Sequence, residues 1–199
     1  MRLLKLKVLI IVVTALLALF VASPALQRVI TSPQTSFYTE LWLLDSAHTA
    51  NNYPSNIIED QNYTVYLDIA NHLGNIGYYV VEVKLRNDVM PYAGSFNNTP
   101  VNMPSLYNLT AFVPNKATLE LPITFSFTYN VQWANSQVNF NQMTLNDAVL
   151  NLNGYSTTYR TQAPSGFYGN LYFELWMYNS TGSLQYNDRY VNLPLNMTV

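Results

Sequence analysis

Leu119-Glu120-Leu121-Pro122-Ile123-Thr124-Phe125-Ser126-Phe127-Thr128 decides the fold. Its odd positions are all apolar, and its even positions are polar or proline. That period of two belongs to a strand with one face buried and the other exposed. The same period recurs on both sides. Phe37, Leu41 and Leu43 alternate with Tyr38, Glu40 and Trp42, and Val65, Leu67 and Ile69 with Thr64, Tyr66 and Asp68. Val81, Val83 and Leu85 alternate with Glu82, Lys84 and Arg86. Leu171, Phe173, Leu175 and Met177 alternate with Tyr172, Glu174, Trp176 and Tyr178, and Val191 opens a last run that reaches Val199.

Weaker runs at Ala148–Leu152 and Leu106–Val113 bring the expectation to seven or eight strands. Turn-rich stretches such as Asn71-His72-Leu73-Gly74-Asn75 and Ser180-Thr181-Gly182-Ser183 separate them. The expected fold is all-β: an antiparallel two-sheet sandwich with Greek-key connections. Pro122 and Pro194 fall at outward positions inside strand patterns, which places them at edges or bulges. Residues 88–104, with Pro91, Gly94, Pro100 and Pro104, read as a long loop. An internal echo, Tyr-x-Glu-Leu-Trp at Tyr38–Trp42 and again at Tyr172–Trp176, reads as two strands in similar environments that converged on one pattern.

The N-terminus follows a different rule. Arg2, Lys5 and Lys7 precede Val8 to Ala22, a stretch without charge in which Thr14 is the sole polar residue. A basic segment before an apolar one is an export signal with its N-terminus held in the cytoplasm. Fifteen residues suit a cleaved signal. Counting from Leu3 gives 20, enough for a span of roughly 20 residues with the lysines snorkelling to the headgroups. The preferred division is a cytoplasmic basic segment over 1–7, a transmembrane signal-anchor over 8–25, a tether over 26–36 and an extracytoplasmic sandwich over 37–199. Cleavage near Ser23-Pro24-Ala25 stands as the alternative.

Beyond residue 28 the basic residues are Lys84, Arg86, Lys116, Arg160 and Arg189, five against all eleven acids, so the exported part carries a net charge near −6. Nucleic-acid binding needs a basic footprint, and this chain lacks one. With no cysteine, the fold depends on its core alone. Only 10% of residues are charged, while tyrosines number 16 and asparagines 24. Such a surface changes little as carboxylates titrate near pH 4, which suits an acidic external medium.

Catalytic chemistry is sparse in the sequence. His48 and His72 read as solvated turn residues, and no ligand cluster, triad or phosphate loop accompanies them. Glu40 and Glu174 occupy matching places in the echo but fall on the polar strand face, where a carboxylate is solvated and not poised for acid–base work. No catalytic residue, metal site or cofactor is therefore expected. Five sequons mark Asn62, Asn97, Asn108, Asn179 and Asn196 as glycosylation sites. Tyr38, Trp42, Tyr66, Tyr172, Trp176 and Tyr178 share the outward phase and form a candidate aromatic contact surface, unless another layer covers them.

Thr39-Glu40-Leu41-Trp42-Leu43-Leu44, Tyr53-Pro54-Ser55-Asn56, Thr64 to His72 and Tyr78 to Val83 together resemble an archaeal family of membrane-anchored extracellular domains of unknown function. Phe173 to Tyr178 is similar to its closing strands. The resemblance is good over 37–86 and loose afterwards; Asp45 and Asp68 stand where family members often carry glycine. It implies an immunoglobulin-like fold, membrane attachment and an extracytoplasmic position, and it implies no activity.

The functional expectation is a membrane-anchored envelope glycoprotein, non-catalytic, touching a protein or glycan partner outside the cell, with the oligomeric state open. The alternative is a subunit of a surface filament or lattice. In that form the signal is cleaved, and residues 26–44 complete a neighbour's sheet by strand addition.

Overall fold

The computed structural model describes residues 7, 11–18, 37–87, 99–179 and 181–199. The chain divides into two units, 1–36 and Phe37–Val199. In the first, residues 11–18 are helical, and Thr14 Oγ1 donates to the Ile11 carbonyl at 3.0 Å. Among the described residues no helix is long and apolar enough to cross a membrane. The rest of the stretch assigned to the anchor, and the whole tether, lie outside the described residues.

The second unit is all β. Its strands are β1 (Thr39–Leu44), β2 (Asn56–Ile57), β3 (Tyr63–Asn71), β4 (Gly77–Asn87), β5 (Tyr107–Val113), β6 (Ala117–Gln132), β7 (Gln137–Leu145), β8 (Ala148–Asn151), β9 (Ser156–Arg160), β10 (Gly166–Tyr178) and β11 (Leu184–Met197). Sheet I runs β1-β3-β6-β7, with β8 and β9 on β7. Sheet II runs β5-β4-β10-β11-β2. The arrangement is an immunoglobulin-like sandwich, antiparallel except for the short parallel pairing of β2 on β11. β9 pairs with β7 of sheet I and with β10 of sheet II, so it forms a corner between the sheets.

Every strand expected from alternation is present, and three further ones, β2, β7 and β9, raise the total to eleven among the described residues. β7 escaped because its alternation breaks. The pairing shifts between Thr128 and Tyr129, so Asn141 is an extra residue and the apolar positions run Val138, Phe140, then Met143, Leu145. β9, Ser-Thr-Thr-Tyr-Arg, has no apolar face to read; its buried member is Thr157, whose hydroxyl donates to the Tyr168 carbonyl at 2.6 Å. Both prolines lie where expected. Pro122 precedes the stretch of β6 that β7 covers, and Pro194 precedes the two rungs that β2 adds to β11.

The core lies between the sheets. Val65, Leu67 and Ile69 with Ile123, Phe125 and Phe127 meet Val81, Val83 and Leu85 with Leu171, Phe173 and Leu175, each at most 1% exposed. Fully burying a side chain of this size contributes about 1.5–3 kcal/mol, so such layers hold the domain without a disulfide.

Two ends follow from this topology. β10 spans 13 residues, about 43 Å of strand. One end, here called the base, holds Phe37, the β3–β4 turn and the β10–β11 hairpin. The other, the tip, holds the β6–β7 connection and the β9–β10 turn.

Two expectations are corrected on the outer faces. Glu174 is not solvated: it is 0% exposed, and Lys84 beside it is 3% exposed. The end of the stretch read as a long loop instead folds over sheet II as a flap, where Val101 packs on Tyr172 in a second small core with Met103 and Tyr190 against it. The echo also dissolves. Glu40 is exposed on the edge strand β1, while Glu174 is sealed on the inner strand β10, so the two environments are opposite.

Candidate functional site

The six outward aromatics do not form one surface, because they divide between opposed sheets: Tyr38, Trp42 and Tyr66 with sheet I, and Tyr172, Trp176 and Tyr178 with sheet II. Tyr172 is fully buried, Trp42, Tyr66 and Trp176 are half-buried, and Tyr38 and Tyr178 are exposed. Each finds a ring or a polar partner within the domain. Tyr38 stacks on His72 at 4.5 Å, Tyr66 on His48 at 4.0 Å, Tyr172 on Tyr190 at 5.6 Å, and Trp176 lies against Tyr186. The histidines are thus engaged turn residues, and His48 Nδ1 also sits 2.8 Å from Glu120 Oε2.

The polar cluster beneath the flap is structural in form. Lys84 Nζ donates to Glu174 Oε2 at 2.6 Å and to the Val101 carbonyl at 3.2 Å, and it lies 2.9 Å from Glu82 Oε2. The Val101 amide donates to Glu174 Oε1 at 2.7 Å. Each charge is therefore compensated, which a buried ion pair requires. A cleft of about 210 Å³ near the flap is lined by Leu85, Met103, Pro104, Phe140 and Tyr155 among others, and the described lining residues include no carboxylate, imidazole or amine. Among the described residues no group of His, Cys, Asp and Glu could hold a metal ion.

On sheet I, Asp68 faces Trp42 on one neighbouring strand and Glu120 on the other. Burial first, and Glu120 second, raise its carboxyl above the usual range, against the Trp42 hydrogen bond and His48. Asp45, at the end of β1, has the opposite setting. Its carboxylate accepts from Thr49 N (2.8 Å), Thr49 Oγ1 (2.8 Å), Asn52 N (3.0 Å) and Ala47 N (2.9 Å), and these bonds hold it down to about 2.

The sequons are not equivalent. Asn62 and Asn108 are exposed. Asn179 uses its side-chain oxygen to close the β10–β11 hairpin, accepting from Thr181 N, Thr181 Oγ1 and Ser183 N. Asn196 is spent on structure: its Nδ2 donates to Asn56 Oδ1 at 3.1 Å and its Oδ1 accepts from Phe167 N at 3.2 Å. Asn97 lies outside the described residues.

The tip presents the exposed constellation that alternation did not reveal. Trp133, 67% exposed, stands on the 3-10 turn Trp133–Asn135. That turn is closed by Ser136 in the left-handed region, whose N–H donates to the Trp133 carbonyl. Phe167, 1% exposed, supports the Trp133 ring edge-on at 6.2 Å and the Tyr159 ring at 5.1 Å. Beside them the Arg160 guanidinium lies 4.1 Å over the Tyr168 ring and donates to the Pro164 carbonyl. Two exposed rings on a rigid base, one ring carrying a cation, and the amides of Gln132 and Asn135 make a surface suited to stacking and polar contact. The available signal was Trp133 itself, a bulky ring in a polar Asn-Ser turn where no core needs it.

No family model matches the chain, and no curated protein does. Among solved structures, the chain is similar to the human seminal-plasma complex of zinc α2-glycoprotein and prolactin inducible protein: 9% identity, TM-score 0.36, with 81% of this chain and 94% of that one covered. It is also similar to a β-glucosidase from Listeria innocua: 10% identity, TM-score 0.39, with 81% of this chain but 16% of that one covered. Likeness this distant bears on neither activity nor partners, and the architecture rests on the strand pairing above.

Proposed function

We propose that this chain is a membrane-anchored, exported surface glycoprotein that acts by contact and not by catalysis. Its partner is a protein or glycan met at the Trp133 tip. The observation that carries the reading is position. The basic-then-apolar N-terminus enters the sandwich at Phe37, and the exposed Trp133, Tyr159 and Tyr168–Arg160 group stands at the opposite end. A tethered domain reaches outward with the end farthest from its tether. Strand donation is less favoured, because releasing residues 26–44 would strip sheet I of β1, whose six rungs lie on β3 of the same chain.

The test uses the full chain in lipid nanodiscs, presented to an oligosaccharide array and to solubilised envelope proteins. Binding that survives Tyr38→Ala and is lost in Trp133→Ala supports the reading. Binding indifferent to Trp133, or an N-terminus found cleaved from the membrane fraction, overturns it.

A further inference from the structure

The base of the sandwich carries an apolar rim of its own. Phe112 on β5 is the register partner of Tyr78 on β4, and Tyr178 on β10 is the partner of Leu184 on β11. The rings of Phe112 and Tyr78 stack at 4.5 Å, and those of Tyr78 and Tyr178 at 5.3 Å. One rung thus crosses four strands at the very end of sheet II, about 15 Å wide. Phe112 is 66% exposed, Tyr178 43% and Leu184 38%. At the same end Ile76 in the β3–β4 turn and Phe37 at the chain's entrance are each more than 60% exposed. Gly74 admits the Phe37 ring, since a Cβ there would lie 2.9 Å from it. Lys116, in the turn between β5 and β6, places a cation at this end as well.

We infer that this rim rests in the headgroup layer of the membrane that anchors the chain. The inference builds on the anchored reading above. The length of chain outside the sandwich identifies the occupant. Residues 23–36 separate the apolar stretch from Phe37, a link of 14 residues that can reach no farther than roughly 50 Å. The base is therefore the part of the domain that the tether keeps beside the bilayer. Proximity alone would leave the domain tumbling; the rim gives it a preferred orientation. Tyr and Phe with scattered aliphatics and a cation match the membrane–water interface, where rings sit at headgroup depth and a cation meets phosphate. That orientation points Trp133 away from the bilayer. It also excludes a glycan at Asn179, which lies in the hairpin between Tyr178 and Leu184.

The cysteine-free sequence permits a direct test with the full chain in proteoliposomes of zwitterionic and anionic phospholipids. Single nitroxide labels are placed at Leu17→Cys, Phe112→Cys and Ala134→Cys, and their collisions with lipid-borne and water-borne relaxers are compared. The expected result is residue 17 deep in the bilayer, residue 112 at headgroup depth and residue 134 in water. If 17 lies in the bilayer while 112 behaves like 134, or is shielded from both relaxers by a covering protein, the inference is overturned and the anchor stands. If 17 itself lies in water, the anchored reading fails and takes the inference with it. Sugar found on Asn179 of the native protein would also overturn it.

Discussion

The Lys84 ammonium lies 2.6 Å from Glu174 Oε2 on the neighbouring strand, and both side chains are sealed from solvent. Glu82 and Glu174 face each other across β4 and β10, so Lys84 also screens two like charges that the register would otherwise oppose. Because Val101 contributes both its amide and its carbonyl, the pair fastens the flap that covers Tyr172.

Removing Lys84 leaves Glu174 buried without its cation, and removing Glu174 leaves Lys84 only its contact with Glu82 and strips the Val101 amide of its acceptor. Glu174→Leu or Lys84→Met alone should cost about 3–5 kcal/mol, while the double replacement recovers most of the loss. Urea unfolding of the full chain in detergent micelles checks the ranking. A double variant no better than the worse single one would show that Lys84 and Glu174 act independently.

Two carboxyls on sheet I should respond to acid in opposite directions. Asp68 is raised by burial and by Glu120, so its ionisation disfavours the fold, and that penalty appears as pH rises through and above the ordinary range. Asp68→Asn should therefore stabilise the domain at pH 7 by about 0.2–1 kcal/mol, the scale of directly opposed like charges, with no gain at pH 3. Asp45 is held down to about 2, so its contribution is full above pH 4 and disappears as pH falls to 2. Asp45→Ala should loosen residues 46–52 at pH 6 but not near pH 2. Thermal unfolding reads the first variant, and amide exchange across the turn reads the second.

Glycan occupancy should follow side-chain commitment. In a host with the machinery, exposed Asn62 and Asn108 carry sugar, Asn108 being bonded only through its Oδ1, which accepts from Ser105 Oγ at 2.6 Å. Asn196 stays bare because both ends of its amide are bonded within the fold. Asn196→Ala should cost about 1–3 kcal/mol by leaving the Phe167 amide and Asn56 without a partner. Mass spectrometry of the sequon peptides, followed by unfolding of the variant, checks both points. A glycan on Asn196 of folded protein would refute the bonding argument.

How far the fold was legible depends on the range of the interactions involved. Alternation over Leu119–Thr128 and its counterparts identified strands and the inward faces of their middles, because burial of every second side chain is written locally in the order of residues. It failed at the ends, where Phe37 and Val199 share the inward phase yet are exposed. β7 was lost at a single extra residue, Asn141, and β9 because hydroxyls replaced hydrocarbons on its buried face. Outward phase, however, is not exposure. Glu40 and Glu174 share one local pattern, yet the first is in water and the second lies beneath Val101.

By itself, then, the sequence determined an all-β sandwich, the inward faces of its main strands and a chain without cysteine. Tertiary structure decided what lies over each outer face, which sequon amides are free to react and which aromatics gather. Trp133, Tyr159 and Tyr168 come from three separate segments, joined only when β9 turns the corner between sheets. Periodicity reports which way a side chain points relative to its own strand; no local pattern can report what another part of the chain places on top of it.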